Sequence, residues 1–435
     1  MSLPHSDETR GPEAALNSRH RTPASWLFLL LSMPYGVYSG AVAGSLLSFL
    51  LRREGHAMFG IANEIALLGI PPMLYFLWSP LADFWISRKH WYLLAVCLTA
   101  VGTTVAFFIP DLSSPAAVVL LFAAMCTIMM TSAAFGGIAA SQVPEEQKSR
   151  VSSMVQAGNL GGGALGAGGL LMLAEHVSRP VLGLIGAAAV LLPGLAVLAL
   201  DVPPPRSSEG GAVLGKQLVE MGREFKTVFL RWSALPAILL ITSPLCSGGA
   251  VSLLPGIATD YHVSSAEVAW LNGIFGSLLT AAGALLMAVV PKRTDPRLTY
   301  ILFGLMNAGS IGVLCLGPTN SASYLVGTVF YLVTVGAGYA NFTAIVLQVI
   351  GDKGTSASSR YAITVSLGNI PVAYMAAVDG LGAKWWGTRG LSGIDMGVSA
   401  LVGTLYLLFY WLWIKPRWAE HVASMPELQA APTAD

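Results

Sequence analysis

The chain contains 435 residues, of which 54% are hydrophobic and 11% are charged, and its formal net charge is +1. Soluble chains carry about 25% charged residues, so this composition excludes an ordinary soluble protein and indicates an integral membrane protein. The near-neutral charge gives no reason to expect nucleic-acid binding. The seven histidines show no pair at metal-ligand spacing, so we expect neither a metal site nor a cofactor.

Twelve long apolar stretches follow one another along the chain, and none of them contains Lys or Arg. A helix needs about 20 residues to cross the hydrocarbon core of a bilayer. The pattern therefore predicts an all-α integral membrane protein with twelve transmembrane helices. The predicted spans are residues 25–51, 57–78, 91–109, 116–140, 151–174, 181–200, 233–259, 266–290, 299–316, 321–350, 361–383 and 394–414.

The basic residues are distributed unequally between alternate connectors. With the N-terminus inside, 19 of the 24 Lys and Arg residues fall on the cytoplasmic side of the membrane. Cytoplasmic loops of membrane proteins carry an excess of Lys and Arg, so this count predicts that both termini are cytoplasmic. We expect a multi-pass protein of the inner membrane, with residues 1–24 and 415–435 as cytoplasmic tails.

One hydrophilic segment, residues 201–232, divides the spans into six and six. It predicts two six-helix bundles, residues 25–200 and 233–414, joined by a cytoplasmic linker. The linker begins with three prolines, and apolar residues then recur at spacings of three and four, which predicts an amphipathic helix that lies on the membrane surface or packs against loops. The apolar positions are Leu214, Leu218, Met221, Phe225, Val228 and Trp232.

The most specific motif lies in the second span. It reads Gly69-Ile70-Pro71-Pro72, followed by Tyr75-Phe76-Leu77-Trp78-Ser79-Pro80-Leu81-Ala82-Asp83. Together with the six-plus-six plan, it resembles the AmpG-like branch of the major facilitator superfamily, whose members transport peptides, acetyl-CoA and muropeptides. The resemblance implies a pseudo-symmetric major facilitator fold and proton-coupled import of a muropeptide-like or other medium-sized polar metabolite.

The chain departs from that branch at two positions. Family members often carry Lys where this chain has Tyr75, and Arg where it has Phe84. The missing cations weaken the case for an anionic sugar-peptide substrate. A siderophore or drug transporter of the same superfamily therefore stays open, as does a non-transporting membrane sensor or scaffold. An integral-membrane enzyme has less support, because the spans contain no cluster of a nucleophile with a base.

Two acidic residues stand out inside the predicted spans, Glu64 in the second and Asp379 in the eleventh. A charged side chain at the bilayer centre costs about 2.5–3.5 kcal/mol on insertion scales, so these residues are not expected to face lipid. A buried carboxyl that gains and loses a proton is what proton coupling requires. Glu64 and Asp379 are therefore candidate coupling residues, although Glu64 could also be interfacial.

Asp83 follows the second span in the first cytoplasmic loop. Its carboxylate can pair with Arg88 or Arg360, or accept hydrogen bonds from a helix N-terminus. We expect these three residues to form a latch that holds one state of a rocking pair of bundles; the alternative is a solvated loop carboxylate.

In this superfamily, spans 1, 4, 7 and 10 line the substrate cavity. The resemblance therefore suggests a set of polar side chains that hydrogen-bond a small-molecule substrate. The alternative is that Ser, Thr and Asn join helices to one another. The cavity candidates are Tyr35, Tyr38, Ser39, Ser247, Tyr339 and Asn341, with Asn369 in span 11.

Residues 161–166 of the fifth span match the pattern Gly-x-Gly-x-x-Gly. A dinucleotide site requires a βαβ unit around that pattern, which a transmembrane span does not provide. Gly158, Gly162 and Gly166 instead recur every four residues and predict a smooth face for close helix packing. We expect a monomeric secondary transporter that is driven by protons and is not an enzyme.

Overall fold

The computed structural model describes residues 23–83, 85–202, 234–291, 294–350 and 357–415, together with Gly215, Lys216, Val219, Gly222, Arg223 and Lys226. Over these residues the chain forms helices joined by short loops, with no strand. The apolar positions of the predicted linker helix, Leu214, Leu218, Met221, Phe225, Val228 and Trp232, lie outside the described residues.

The first half of the chain contributes six helices. The first of them, α1, passes through a π-helical section at Val37–Leu46 that follows Pro34. Serine caps begin α3 and α4, where the side chains of Ser87 and Ser114 accept hydrogen bonds from backbone N–H groups of the first turn. The helices are α1 Leu27–Arg53, α2 Met58–Leu77, α3 Arg88–Phe108, α4 Pro115–Gln142, α5 Glu145–Leu173 and α6 Arg179–Ala199.

The second half contributes six more segments. Helix α7 is broken: it begins at Leu235–Ile241 and resumes in the short turns Gly249–Ser252, Leu254–Ile257 and Ala258–Tyr261. Ser264 and Glu267 form a capping box at the start of α8. The remaining helices are α8 Ser265–Leu286, α9 Pro296–Leu316 and α10 Ser321–Ile350, followed by α11 (residues 357–385) and α12 (residues 388–414).

The boundary between α11 and α12 is a single tight turn. Trp386 and Gly387 leave the helical conformation there, and Gly387 has a φ of 65°, which glycine adopts without strain. The two helices consequently form a hairpin with almost no loop.

Nine of the described helices are long and apolar enough to cross a membrane, the ninth being the stretch Val365–Trp413 that contains most of the α11–α12 hairpin. Glu145–Leu173 has the length but is more polar, and α7 is interrupted. The described chain therefore divides into twelve helical segments, which agrees with the predicted number. The predicted all-α membrane fold is confirmed.

Small residues set the closest helix contacts. A Cβ at Gly162 would lie 2.6 Å from the carbonyl oxygen of Met33, and one at Gly166 would lie 2.9 Å from Cβ of Ala41. Gly158 likewise meets the backbone of Leu29. The predicted glycine face of α5 is therefore confirmed, and it packs on α1.

The two halves meet mainly along three helix pairs, α1–α7, α2–α11 and α5–α8. Gly69 of α2 lies against Ala373 of α11, and Gly168 of α5 lies against Ile274 of α8. One loop face of the molecule carries Glu54, Asp111, Arg179 and Asp260 next to Arg52, and we call it the Arg52 face. The opposite Arg88 face carries Lys89, Gln142 and Asp201 next to Arg88.

Candidate functional site

The break in α7 opens the helix backbone in the middle of the second half. Cys246 and Gly248 both have positive φ, 51° and 72°. The released backbone groups find side-chain partners: Tyr374 donates to the Thr242 carbonyl at 2.9 Å, and Tyr300 donates to the Leu245 carbonyl at 2.8 Å. Broken helices are tolerated in a membrane when such groups are satisfied, and they often line a binding cavity.

Tyr339 of α10 reaches this break and also approaches the other half. A Cβ at Gly248 would lie 2.8 Å from the Tyr339 hydroxyl, so the glycine makes room for the ring. Tyr339 is 44% exposed and lies near Tyr35 of α1. The two tyrosines thus line open space where α1, α7 and α10 meet.

Three other cavity candidates lie near helix backbones. Ser39 is partly exposed and donates to the Tyr35 carbonyl at 2.7 Å. Ser247 is buried and accepts a hydrogen bond at 3.1 Å from the N–H of Gly249, the residue at which α7 resumes. Asn369 donates to the Val365 carbonyl at 2.8 Å in its own helix. All three retain a partner that a ligand would have to share or replace.

Tyr38 and Asn341 occupy helix–helix contacts instead. Tyr38 is fully buried and donates to the Leu121 carbonyl of α4 at 2.6 Å. Asn341 is also buried, and its side-chain oxygen accepts from Thr299 of α9 at 2.6 Å. Polar side chains of this kind hold helices together, which was the alternative reading of the cavity set.

The most unusual feature of the second half is a pair of fully buried carboxyl groups. Asp379 of α11 is 0% exposed, and neither of its carboxyl oxygens has a hydrogen-bond partner within the described structure. Asp395 of α12 is 1% exposed and near enough to interact with Asp379 electrostatically. Asp395 accepts hydrogen bonds from Tyr331 at 3.3 Å and from Ser399 at 3.1 Å.

Sequence reasoning found Asp379 and missed Asp395. The predicted twelfth span begins at residue 394, which places Asp395 at the membrane surface. In the structure α12 begins at residue 388, so Asp395 lies two turns inside the helix. Gly387 was the available signal, because a glycine with positive φ lets a new helix start within one or two residues.

Glu64 lies in the other half and takes no part in the acid pair. It is half-buried in α2, and one of its carboxyl oxygens has no partner among the described residues. Its charge interacts with Asp111 in the loop on the Arg52 face. The two predicted coupling candidates are therefore separate sites.

On the Arg52 face the halves are joined by an ion pair. Arg52 of α1 contacts both carboxylate oxygens of Asp260 at 2.7 and 2.9 Å, and Thr388 of α12 donates to the same carboxylate. Beneath it, a Cβ at Gly44 would lie 3.0 Å from the hydroxyl oxygen of Ser252. The structure is therefore closed between α1 and α7 on this face.

The predicted latch lies on the Arg88 face. The side chains of Asp83 and Arg360 are outside the described part of the structure, so their pairing stays a prediction. Arg88 donates to the Gly137 carbonyl at 2.5 Å and to Ser141 at 3.1 Å, which ties α3 to α4 within the first half.

Tyr75 of α2 is 4% exposed. It packs with Met129 of α4 and Ala362 of α11. This position therefore joins apolar surfaces of the two halves in the described structure.

One group of side chains on the Arg52 face has the composition of a metal site. One ligand atom each of Glu54, His56 and Asp111 lies within 4.8 Å of the others, although Asp111 is distant in sequence from the other two. Glu54 is already paired with Arg179 at 2.9 Å, and the guanidinium opposes a second cation. Hydrogen bonds from the hydroxyl and backbone N–H of Ser113 hold the pKa of Asp111 below its ordinary value. The group fits a surface ion-pair network better than a metal centre.

Comparison with known proteins gives matches to a family and to solved structures. Residues 29–373 match the model of the Major Facilitator Superfamily. A search of the curated proteins found no match.

Several solved transporters share the overall fold at low sequence identity. A D-xylose–proton symporter is 12% identical with a TM-score of 0.67, over 89% of this chain and 97% of that chain. A nucleoside transporter, NupG, is 14% identical with a TM-score of 0.64, over 88% and 98%. An inward-open xylose transporter from E. coli is 11% identical with a TM-score of 0.65, over 90% and 95%. At these identities the likeness concerns the fold.

Proposed function

Because the chain belongs to the Major Facilitator Superfamily and is thus a membrane transporter and not an enzyme, we propose that it is a proton-coupled importer of the inner membrane. It alternates access by rocking the α1–α6 bundle against the α7–α12 bundle. In this proposal the Arg52 face is periplasmic, and both termini are cytoplasmic.

The observation that carries proton coupling is the buried pair Asp379–Asp395. Two ionised carboxylates at close range in a low-dielectric site repel each other strongly. Among the described residues, no Lys, Arg or His contributes to the electrostatics of either one. The pair is therefore suited to hold one proton and to release it when the site becomes hydrated. The fold of a D-xylose–proton symporter supports the same kind of coupling.

The substrate class follows from the lining of the cavity and from the motif of α2. Tyr35, Ser39 and Tyr339 offer hydroxyl groups and aromatic faces, and the predicted spans contain no Lys or Arg. Such a lining favours a medium-sized polar solute without a strong negative charge. We propose a muropeptide-like metabolite, because the motif of residues 69–83 resembles the AmpG-like branch.

Two other functions remain as alternatives to this proposal. A siderophore or amphiphilic drug fits the same aromatic and hydroxyl lining. A non-transporting sensor or scaffold would keep the fold and bind a ligand without moving it.

The decisive experiment is uptake by purified protein in proteoliposomes. We expect saturable accumulation of an anhydromuropeptide under an inward proton gradient, and collapse of uptake when a protonophore removes the gradient. Competition by siderophores and acyl-CoAs ranks the substrate classes. Binding without flux would support the sensor, and uptake that ignores the gradient would contradict proton coupling.

A further inference from the structure

The hydroxyl group of Tyr331 lies between Asp395 of the acid pair and the resumed part of α7. Tyr331 is fully buried in α10. Its hydroxyl donates to Asp395 at 3.3 Å, and the backbone N–H of Ala250 is close enough to interact with it. Asp379 is also close enough to interact with the tyrosine electrostatically. One hydroxyl group therefore links the Asp395 carboxyl group of α12 to the backbone of α7, within the electrostatic reach of Asp379.

The turn that contains Ala250 is also the turn that closes the Arg52 face. Ser252, two residues after Ala250, lies opposite Gly44 of α1, where a Cβ would be 3.6 Å from the Cβ of the serine. One turn later, a Cβ at Gly256 would lie 3.3 Å from the carbonyl oxygen of Ser48. A displacement of the Gly249–Ser252 turn would therefore change the α1–α7 contact directly.

The hydrogen bonds distinguish the roles of the two carboxyl groups. Asp395 accepts two hydrogen bonds and Asp379 accepts none among the described residues. Hydrogen bonds to a carboxylate favour its charged form, so Asp395 is the better place for the negative charge and Asp379 for the proton. When Asp379 also ionises, the two negative charges repel each other.

We propose that Tyr331 is a positioning residue that transmits the protonation state of the Asp379–Asp395 pair to the α1–α7 contact. The inference rests on the proposed proton coupling. With one proton on the pair, Tyr331 holds the Ala250 turn, and the Arg52 face stays closed. Loss of that proton displaces Asp395 and Tyr331, and the turn withdraws from α1. The proton that is lost comes from the Asp379 carboxyl group, and the Tyr331 hydroxyl group stays protonated.

The surroundings of Tyr331 contain few other titratable groups. The α7 thiol of Cys246 interacts with Asp395 and with Tyr300 of α9. Glu64 of α2, which packs on α11, interacts with Asp111 instead. Within the described structure the acid pair is therefore the group whose charge Tyr331 senses.

Disulfide formation between Gly44→Cys and Ser252→Cys measures the closed contact. Their Cβ separation of 3.6 Å lies within the range of a disulfide, which is about 3.5–4.5 Å. The pair is introduced after replacing the four native cysteines by Ala. Oxidation is then followed in proteoliposomes at about pH 5.5 and about pH 8.5 with an oxidant whose own rate is calibrated at each pH.

Tyr331→Phe is compared with Ser399→Ala in this background. Each variant removes one hydrogen bond to Asp395, but only Tyr331 also contacts α7. We expect cross-linking to fall at least about fivefold from the lower to the higher pH in the parent and in Ser399→Ala, since one linked proton shifts an equilibrium up to tenfold per pH unit. We expect a change below about twofold in Tyr331→Phe.

Two other outcomes separate the possible failures. If Tyr331→Phe retains the full pH dependence of the parent, the role of Tyr331 is wrong and proton coupling is untouched. If the parent itself shows no pH dependence, the proposed coupling by the acid pair is wrong. Should Tyr331→Phe fail to fold, Ala250→Pro takes its place, because it removes the N–H donor at a first-turn position that tolerates proline. For this variant too we expect a change in cross-linking below about twofold, and a full pH dependence would contradict the role of Tyr331.

Discussion

Arg52 of α1 holds Asp260 of α7 through two hydrogen bonds, of 2.7 and 2.9 Å, that cross from one half of the molecule to the other. Both side chains are about a quarter exposed. A partly exposed ion pair of this kind contributes about 0.2–1 kcal/mol. The pair therefore stabilises the closed Arg52 face without locking it, as a carrier that must reopen requires.

Arg52→Gln should open the Arg52 face more often. A loss of up to about 1 kcal/mol corresponds to roughly a fivefold change in the open population. Labelling of Ser252→Cys by a membrane-impermeant thiol reagent measures this, and it should rise about two- to fivefold. Arg53→Gln is the matched control, because Arg53 donates to the Ala174 carbonyl within its own half. Equal labelling in the two variants would show that the Arg52–Asp260 ion pair does not keep the Arg52 face closed.

Asp379→Asn and Asp395→Asn should each reduce gradient-driven uptake by at least about tenfold, since a neutral amide cannot carry the proton. Exchange of substrate across the membrane without a gradient should be affected less. Glu64→Gln is the comparison, because Glu64 is the other predicted coupling residue and belongs to a separate site. If Glu64→Gln were the only variant to lose coupling, the coupling site would have to be assigned to α2.

Gly162→Ala should destabilise the first half, because its new Cβ would lie 2.6 Å from the Met33 carbonyl oxygen. Overpacking of this kind costs about 1–3 kcal/mol. Gly161→Ala, one residue earlier, places its Cβ where nothing lies within 4 Å. Thermal unfolding in detergent should therefore separate two alanine substitutions at adjacent positions. Similar melting temperatures would contradict the close packing of the α5 glycine face against α1.

Asp295, which caps α9 just outside the membrane-spanning segment, should make stability fall as pH rises. Burial raises the pKa of Asp295 above the ordinary value of 3.8. The folded protein therefore binds the proton more tightly than the unfolded chain does, and stability is lost as pH rises through the folded pKa.

Asp295→Asn should keep the cap and remove this slope above about pH 4. Asp295→Ala should lose the cap as well, at about 1 kcal/mol. Melting temperatures of the three proteins between about pH 4 and pH 7 test both expectations. An unchanged slope in Asp295→Asn would assign the pH dependence to another group.

The sequence was sufficient to predict the helices and insufficient to predict how they break. Span positions follow from hydropathy, which is local, so most predicted ends agree within a few residues. Pro244 and Pro255 flank the break in α7, but the residues with positive φ are Cys246 and Gly248. That conformation depends on Tyr300 and Tyr374, whose hydroxyl groups come from helices far along the chain.

The residues of the site likewise divide into those that the local sequence predicts and those that depend on contacts between distant helices. A buried acid such as Asp379 is visible in a sequence because it interrupts an apolar span. Its partner Asp395 was missed because residues 385–389 resemble a loop in the sequence. In the structure only Trp386 and Gly387 leave the helical conformation there. The cavity set combined Tyr35 and Tyr339, which are partly exposed, with Tyr38, which has the same chemistry but is buried against α4.

The tight turn at Gly387 also sets the depth of the acid pair. Asp379 stands eight residues before the glycine and Asp395 eight residues after it. At a rise of 1.5 Å per residue, both carboxyl groups lie about 12 Å below the turn, out of a hydrocarbon thickness of about 30 Å. A proton that reaches them from the Arg52 face would cross roughly two fifths of the membrane potential, or about 0.9 kcal/mol for each 100 mV. Voltage, as well as the pH difference, would then drive the loading of this site.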